Sequence, residues 1–451
     1  MTSAQTETFG SALKLIVNYI AARRARFCAL ACIALFVAGL LIYRVSYDPT
    51  DAVPRDPESF RLAHNIEENG QFANPFVPLD TGPSAHLAPA FPAFLAFLIR
   101  VFGDRAIGIY SIKWAAAILL SAQLALFPLF SRALGMGELN GVIAAVVWIA
   151  SKVGLAYPHE RQPVVMFGWE SFYAAILIAI AVCCFRLYMD LLVRDSALLA
   201  WPLGLLLGVL ALTFPPAGAI FIGCLVWMAW KDRHAIFRKS TLVVVLLPAL
   251  IVAPWLIRNY MVFGRVILVR DNFGLELSVS NNDCAQFGIQ ENLDSGCFNK
   301  VHPNANIEEA RNVLAYGEPK YNDLKLREAR FWIENHPARF FRLCALRFLA
   351  FWFPPATSGP YSLLGGGRRL ERLILFLMTF LSVPGLLILQ RRDRLSAVVC
   401  TMCLVLYPLV YYAVQYEYRY RYPILWVTFL VGALPITVFL ERMRIAADPV
   451  A

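Results

Sequence analysis

The run STLVVVLLPALIVAPWLIR, residues 240–258, carries a single charge, Arg258, at its far end. As a helix rising about 1.5 Å per residue, it approaches the roughly 30 Å hydrocarbon core of a bilayer. Lys231, Arg233, Arg238 and Lys239 precede it, and basic residues gathered before an apolar run mark the cytoplasmic side. The alternation repeats along the chain. Apolar runs at 27–44, 107–131, 139–157, 170–190, 197–214, 216–230, 372–390, 396–415 and 423–440 are separated by connections that carry Arg132; Arg186 and Arg194; Arg391, Arg392 and Arg394; or Arg442 and Arg444. The sequence therefore predicts an all-α polytopic membrane protein with about ten transmembrane helices.

Composition agrees. Of 451 residues, 59% are hydrophobic and only 16% charged, well below the charged share of a soluble domain. The net charge of +10 is accounted for by Lys and Arg at span ends, so orientation explains it and no nucleic-acid partner is expected. The first run follows Arg23, Arg24 and Arg26 and lacks a small-residue cleavage site, so it reads as a retained anchor. Two further apolar stretches, 87–103 and 340–353, are read as helices that lie along the interface or re-enter it, with twelve spans as the alternative. Making the first a full crossing would push the basic 231–239 connection outside until the second restored parity. The second also holds Arg342 and Arg347, which suits the interface.

The expected organisation is a cytoplasmic N-terminus (1–26), the first span (27–44), and a first extracytoplasmic loop with a catalytic carboxylate and interfacial helices (45–106). Six spans follow (107–258), then a large extracytoplasmic segment (259–371), three spans (372–440) and a cytoplasmic tail (441–451). No Walker A or dinucleotide-binding glycine pattern follows a strand.

Polar residues concentrate outside the spans. Pro54-Arg-Asp-Pro-Glu-Ser-Phe60 reads as a helix start, with Asp56 as N-cap, Pro57 at the first position and Glu58 in the first turn. A carboxylate there would equally serve as a general base at the membrane surface. His86-Leu-Ala-Pro-Ala-Phe-Pro-Ala-Phe94 follows, and His86 is either a surface histidine or a contact for an anionic head group. Two aromatic-rich stretches close spans: Ala253–Gly264, with Pro254, Trp255, Arg258, Asn259 and Tyr260, and Tyr416–Pro423. Their Trp and Tyr serve as interfacial anchors. Arg258, Arg265, Arg270, Arg347, Arg419 and Arg421 lie on the outer side, against the orientation rule; a phosphate partner explains them, with anionic lipid heads as the alternative. Cys284 and Cys297 share a polar outer loop and are a disulfide candidate in an oxidising compartment. The six histidines are scattered and nothing has metal-ligand spacing. No cofactor is certain; a divalent metal stays an open alternative, since an acidic pair alone does not make a site.

Taken together these motifs resemble those of bacterial C-type glycosyltransferases of the protein-mannosyltransferase-like group, related to lipid A aminoarabinose transferases. Asp56-Pro57-Glu58 is similar to that family's acidic pair in the first outer loop, and His86–Phe94 to its proline-rich aromatic stretch. Pro254-Trp255-x-x-Arg258-Asn259-Tyr260, Phe263-Gly264 and Asn281-Asn282 are similar to later elements. So are His336-Pro337-x-x-Phe340 and Arg419-Tyr420-Arg421-x-Pro423.

The resemblance implies a polyprenyl-phosphate sugar donor and a glycolipid, lipopolysaccharide, other glycan or protein acceptor. It implies inversion at a site facing the periplasm from the bacterial inner membrane. Asp56 would be the base, with Glu58 beside it. Arg258, Arg347, Arg419 and Arg421 would take the leaving phosphate's charge, and His86, Asn259 and Tyr260 would contact substrate. Residues 263–338 would close over the acceptor. Asp56, Arg258 and Arg421 are thus expected in one pocket. The rival reading is a transporter or flippase of a lipid-linked sugar, which calls for charges near mid-bilayer. The spans hold little charge beyond Lys113 and Lys152, which favours surface chemistry.

Overall fold

The computed structural model describes residues 26–42, 57–103, 106–152, 169–193, 198–355 and 369–447. These form helices, with two isolated β-bridges as the strand pairing among them. In chain order they are α1 (Arg26–Ile42), α2 (Pro57–Asn69), α3 (Ala90–Phe102), α4 (Ala106–Ala133), α5 (Glu138–Lys152), α6 (Glu170–Val193), α7 (Ala200–Thr213), α8 (Gly218–Lys231) and α9 (Lys239–Phe263). A segment of short helices follows: α10 (Phe273–Ser280), α11 (Ile289–Asp294), α12 (Phe298–Val301), α13 (Ile307–Tyr316), α14 (Glu318–Asn335) and α15 (Pro337–Trp352). The chain closes with α16 (Arg369–Arg392), α17 (Arg394–Val405), α18 (Leu409–Ala413) and α19 (Tyr422–Ala447).

Six helices among the described residues are long and apolar enough to cross a membrane: 111–133, 170–192, 239–263, 370–392, 394–413 (α17 running into α18) and 422–442. The other expected crossings coincide with shorter helices, α1, α5, α7 and α8. Pro215–Ala217, a 3₁₀ turn, parts α7 from α8, because neither Pro215 nor Pro216 can donate the backbone bond a continuous helix needs. At 13 and 16 residues, α3 and α15 are, like α5, α7 and α8 at 15, 14 and 14, shorter than the roughly 20 of a full crossing, so length does not separate the expected interfacial helices from these expected crossings.

The core forms around α19, which packs on α5, α6, α16 and α17. Trp426, Val427, Leu430, Val431, Ala433 and Leu434 are fully buried, and the Trp148 ring meets Phe429 with centroids 4.8 Å apart. Close helix approach depends on small residues: a Cβ on Gly385 of α16 would lie 2.0 Å from the Val431 carbonyl oxygen. A polar clasp reinforces the contact with α4 and α5. Asn140 donates to the Leu430 carbonyl (3.0 Å) and to Ser131 Oγ (3.1 Å), and accepts from Thr437 (2.9 Å). By contrast, α9 is enclosed over 17% of its most apolar window, against 67% for α19, so α9 is a peripheral helix.

The basic connections gather at one end. Arg186 pairs with Asp393 (2.7 Å) and Asp190 (2.5 Å). Arg392 pairs with Glu441 (3.4 Å), and Arg238 donates to the Leu192 carbonyl (2.5 Å). At the other end the first loop, the 264–355 segment and residues 413–421 knit together. Asp271 N–H donates to Ala85 O (2.8 Å), Ile289 N–H to Tyr416 O (2.9 Å), and Arg421 to Trp352 O (2.6 Å).

Candidate functional site

At this second end lies a cleft of about 340 Å³. Distant parts of the chain meet in it, among them Glu58 on α2; Trp169 and Glu170 at the start of α6; Arg270, Asn272, Phe273 and Glu276 around α10; and Tyr411, Arg419 and Tyr420 before α19. Pro215 and Pro216 line it where α7 gives way to α8.

Glu58 enters the cleft because α2 starts at Pro57, whose fixed φ suits the first helical position, while a carboxylate in the first turn complements the helix dipole. Its oxygens are held from three directions. Asn304 donates to Oε1 (2.6 Å), His86 Nε2 lies 3.1 Å from Oε2, and His302 Nε2 lies 3.8 Å from Oε1. Burial on its own would raise the Glu58 carboxyl, but the charge and hydrogen bond of His86, then His302 and Arg419, hold it down at about 2. For His86, burial is outweighed by Glu58, and its pKa rises to about 9. His302 drops to about 4 because burial dominates. Its Nδ1 accepts the Asn304 N–H (3.1 Å). Near neutral pH the arrangement is thus carboxylate, imidazolium and neutral imidazole.

His86 is fully buried, with its ring edge-to-face on Phe76 at 5.0 Å. Its segment is fixed by Glu318 at the start of α14, which accepts from Ser84 Oγ (2.7 Å) and Ala85 N–H (2.6 Å). Burial raises the Glu318 carboxyl to about 7.

The cleft's cations are Arg270 and Arg419. Arg270 donates to Asn272 Oδ1 (2.8 Å). The Arg419 guanidinium lies over the Trp169 ring, 3.4 Å from its centroid; its Nε donates to Glu417, and its Nη1 is 3.7 Å from Glu170. The indole face and the carboxylates of Glu417 and Glu170 together fix the orientation of this guanidinium in the cleft. Glu276 is raised by burial and then by Glu58, and Glu417 by burial.

Asp56 lies outside the described residues. Other expected site residues lie away from the cleft. Arg258 and Arg421, expected beside Asp56, do not line the cleft, and neither does Arg347. Arg258 donates to Ser84 O (2.7 Å) and Phe72 O (2.9 Å), with Trp255 4.8 Å beneath it. Arg347, fully buried, bonds Asn281 Oδ1 (3.1 Å), Ala413 O (2.8 Å) and Ser280 O. Arg421 donates to Trp352 O and to Thr379 Oγ1 (both 2.6 Å). All three satisfy carbonyls of segments that lack helical partners, which buried backbone requires. Burial lowers Arg347 and Arg421 to about 10, so both stay cationic. Asn259 is buried and donates to Ile267 O (3.0 Å), while Tyr260 is largely exposed. The Pro-Trp-x-x-Arg-Asn stretch is thus a frame for the loops. His86 acts on Glu58 from behind; it does not line the cleft.

Of the expected site residues, Glu58 and Arg419 line the cleft. Arg270, which the sequence groups with the outward arginines and their phosphate partner, lines it as well, as do Glu170, Glu276 and Trp169, which the sequence does not single out. Their signal is thin: an acid opening a span, an acid in a short apolar helix, a Trp before a span. Cys284 and Cys297 are joined by a disulfide, with Cα atoms 5.5 Å apart. Among the described residues no group of three or more His, Cys, Asp or Glu is arranged to hold a metal ion.

No family model matches the sequence, and no curated protein matches it either. Solved structures do. The chain is similar to the oligosaccharyltransferase AglB of the archaeon Archaeoglobus fulgidus, solved with an inhibitory peptide and a dolichol-phosphate. The TM-score is 0.53 at 16% identity, covering 93% of this chain and 51% of that one. The apo form gives 0.54 at 13% identity, covering 93% and 52%. The form tethered to an acceptor peptide gives 0.53 at 14%, covering 93% and 51%. The two chains share a fold over nearly all of this chain, which spans about half the length of that protein.

Proposed function

We propose that this chain is a membrane glycosyltransferase that moves a sugar from a polyprenyl-phosphate donor to an envelope acceptor at the cleft. The observation that carries the proposal is the cleft's composition. Two guanidinium groups, three carboxylates and aromatic walls meet at one end of a membrane-type bundle. Guanidinium pairs with phosphate, carboxylates accept sugar hydroxyls, and aromatic faces cover apolar ring surface. The shared fold adds to it, because the archaeal neighbour was solved with a lipid phosphate and with an acceptor peptide.

In this reading an acceptor O–H attacks the anomeric carbon as the carbon–oxygen bond to phosphate breaks. Configuration inverts, the phosphate departs with the electron pair, and the acceptor proton passes to a carboxylate. Arg270 and Arg419 stabilise the departing charge. Glu58, held low by His86, is matched to orienting substrate hydroxyls more than to taking a proton near pH 7. Asp56, two residues upstream, is the proposed base, and residues 263–338 close over the acceptor.

The chain would cross the membrane ten times, with the arginine-rich end in the cytoplasm. The Cys284–Cys297 disulfide lies at the cleft end and suits an oxidising compartment, which in a bacterium is the periplasm. Charged groups at one face favour surface chemistry over transport. The test is deletion of the gene followed by mass analysis of envelope glycolipids and glycans. One missing sugar is expected; an unchanged glycan profile with loss of flux of a lipid-linked sugar across the membrane would favour the transporter.

A further inference from the structure

Arg419 is held in place by a buttress that begins at the disulfide. Cys284 and Cys297 close a loop whose own secondary structure is the six-residue α11, far below the length at which a helix is stable alone. That loop grips the strand of chain leading to Arg419. Tyr416 N–H donates to Phe287 O (2.7 Å) and Ile289 N–H donates to Tyr416 O (2.9 Å), a parallel bridge centred on Gly288 and Tyr416. Asn292 inside the loop accepts from Gln286 N–H (2.7 Å) and donates to Gln415 Oε1 (2.8 Å). At the end of α10, Ser280 Oγ accepts from Gln415 N–H (2.7 Å) and Asn281 donates to Ala413 O (2.9 Å). Residues 413–416 are thus held by the loop and by the end of α10 immediately before Glu417 and Arg419.

We propose that the disulfide-closed loop 284–297, acting through Asn292 and the Tyr416 bridge, is a positioning element that sets Arg419 for the donor. This rests on the reading that Arg419 meets the donor phosphate. Opening the loop frees residues 413–417 to move, and donor affinity falls by the fraction of molecules in which Arg419 is displaced. Chemistry after binding is little changed.

The test compares purified wild type with the Cys284→Ser/Cys297→Ser double variant, each alone and combined with Arg419→Ala. Amide hydrogen exchange is followed in peptides covering 413–421 and in the α19 core. Exchange should quicken at 413–421 and stay unchanged in α19, while donor KM rises three- to tenfold with kcat within twofold. The KM rise should vanish in the Arg419→Ala background, as expected of coupled residues. Unchanged exchange at 413–421, loosening that spreads to α19, or an equal KM rise without Arg419 would each overturn the proposal. If Arg419→Ala alone leaves donor KM untouched, the phosphate reading fails, while the exchange comparison still decides whether the loop holds the segment. Should the double variant not fold, Asn292→Ala keeps the cross-link and must quicken exchange at 413–421; no change there overturns the proposal equally.

Discussion

Glu58 and His86 are an ion pair placed between a helix start and a buried loop, and that placement dictates how stability varies with pH. The His86 pKa is raised from 6.5 to about 9, so its contribution is complete below pH 6.5 and is lost as pH rises through about 9. The Glu58 pKa is depressed to about 2, so its share is present above pH 4.5 and is lost only as pH falls toward 2. Thermal unfolding in detergent between pH 6 and 10 should show wild type losing stability on the alkaline side. His86→Gln should be less stable at pH 6, by about 3 kcal/mol as for one partner removed from a buried pair, and should lack the loss near pH 9, keeping only the earlier decline from Glu318, whose carboxyl ionises at about 7. A parallel pH profile in the variant would contradict the pairing. The arginines divide in the same manner. Arg419→Ala should lower kcat/KM for the donor about 10- to 100-fold with normal folded yield, whereas Arg421→Ala should lose folded protein first, read by size exclusion of the membrane extract. Residue type and outer location made Arg258, Arg347 and Arg421 indistinguishable from Arg419 in the sequence. What separates them is which carbonyls lack partners, and only the folded chain reveals that.

Helices were far more legible than the cleft. A bilayer demands long apolar runs, and residues 170–190, 240–258, 372–390 and 423–440 appear as helices extending a few residues beyond the expected ends. Pro57 and Glu58 marked the start of α2 by cap chemistry alone. The cleft was hidden because its walls come from α2, α6, α10 and the 411–420 connection, and one sequence holds no trace of which distant segments meet. Close helix contacts were hidden for the same reason. Gly385 reads as an ordinary glycine in a span, yet a side chain there would strike the Val431 backbone, which cannot yield cheaply. Gly385→Val should therefore separate α16 from α19 and cost about 1–3 kcal/mol or more, seen as a lower melting temperature in detergent. A melting temperature equal to wild type would mean that this helix pair is more loosely packed than described.

At the scale of the molecule, charge and chemistry are polarised. Arginines of the short connections pair at one end, while the cleft, the disulfide and the folded loops occupy the other. With Lys320 on the loop face and Arg233 on the basic face, single cysteines introduced at each position should respond oppositely to a membrane-impermeant thiol reagent on intact cells: labelling at 320 and protection at 233. The reverse pattern would invert the topology and remove the periplasmic site. The most direct measurement uses the purified protein in nanodiscs with a radiolabelled polyprenyl-phosphate sugar and an envelope extract as acceptor. The account predicts release of free polyprenyl phosphate matched by an equal amount of glycosylated product of inverted configuration, abolished when Arg270 and Arg419 are both changed to alanine. Transfer at the wild-type rate by that double variant would contradict it.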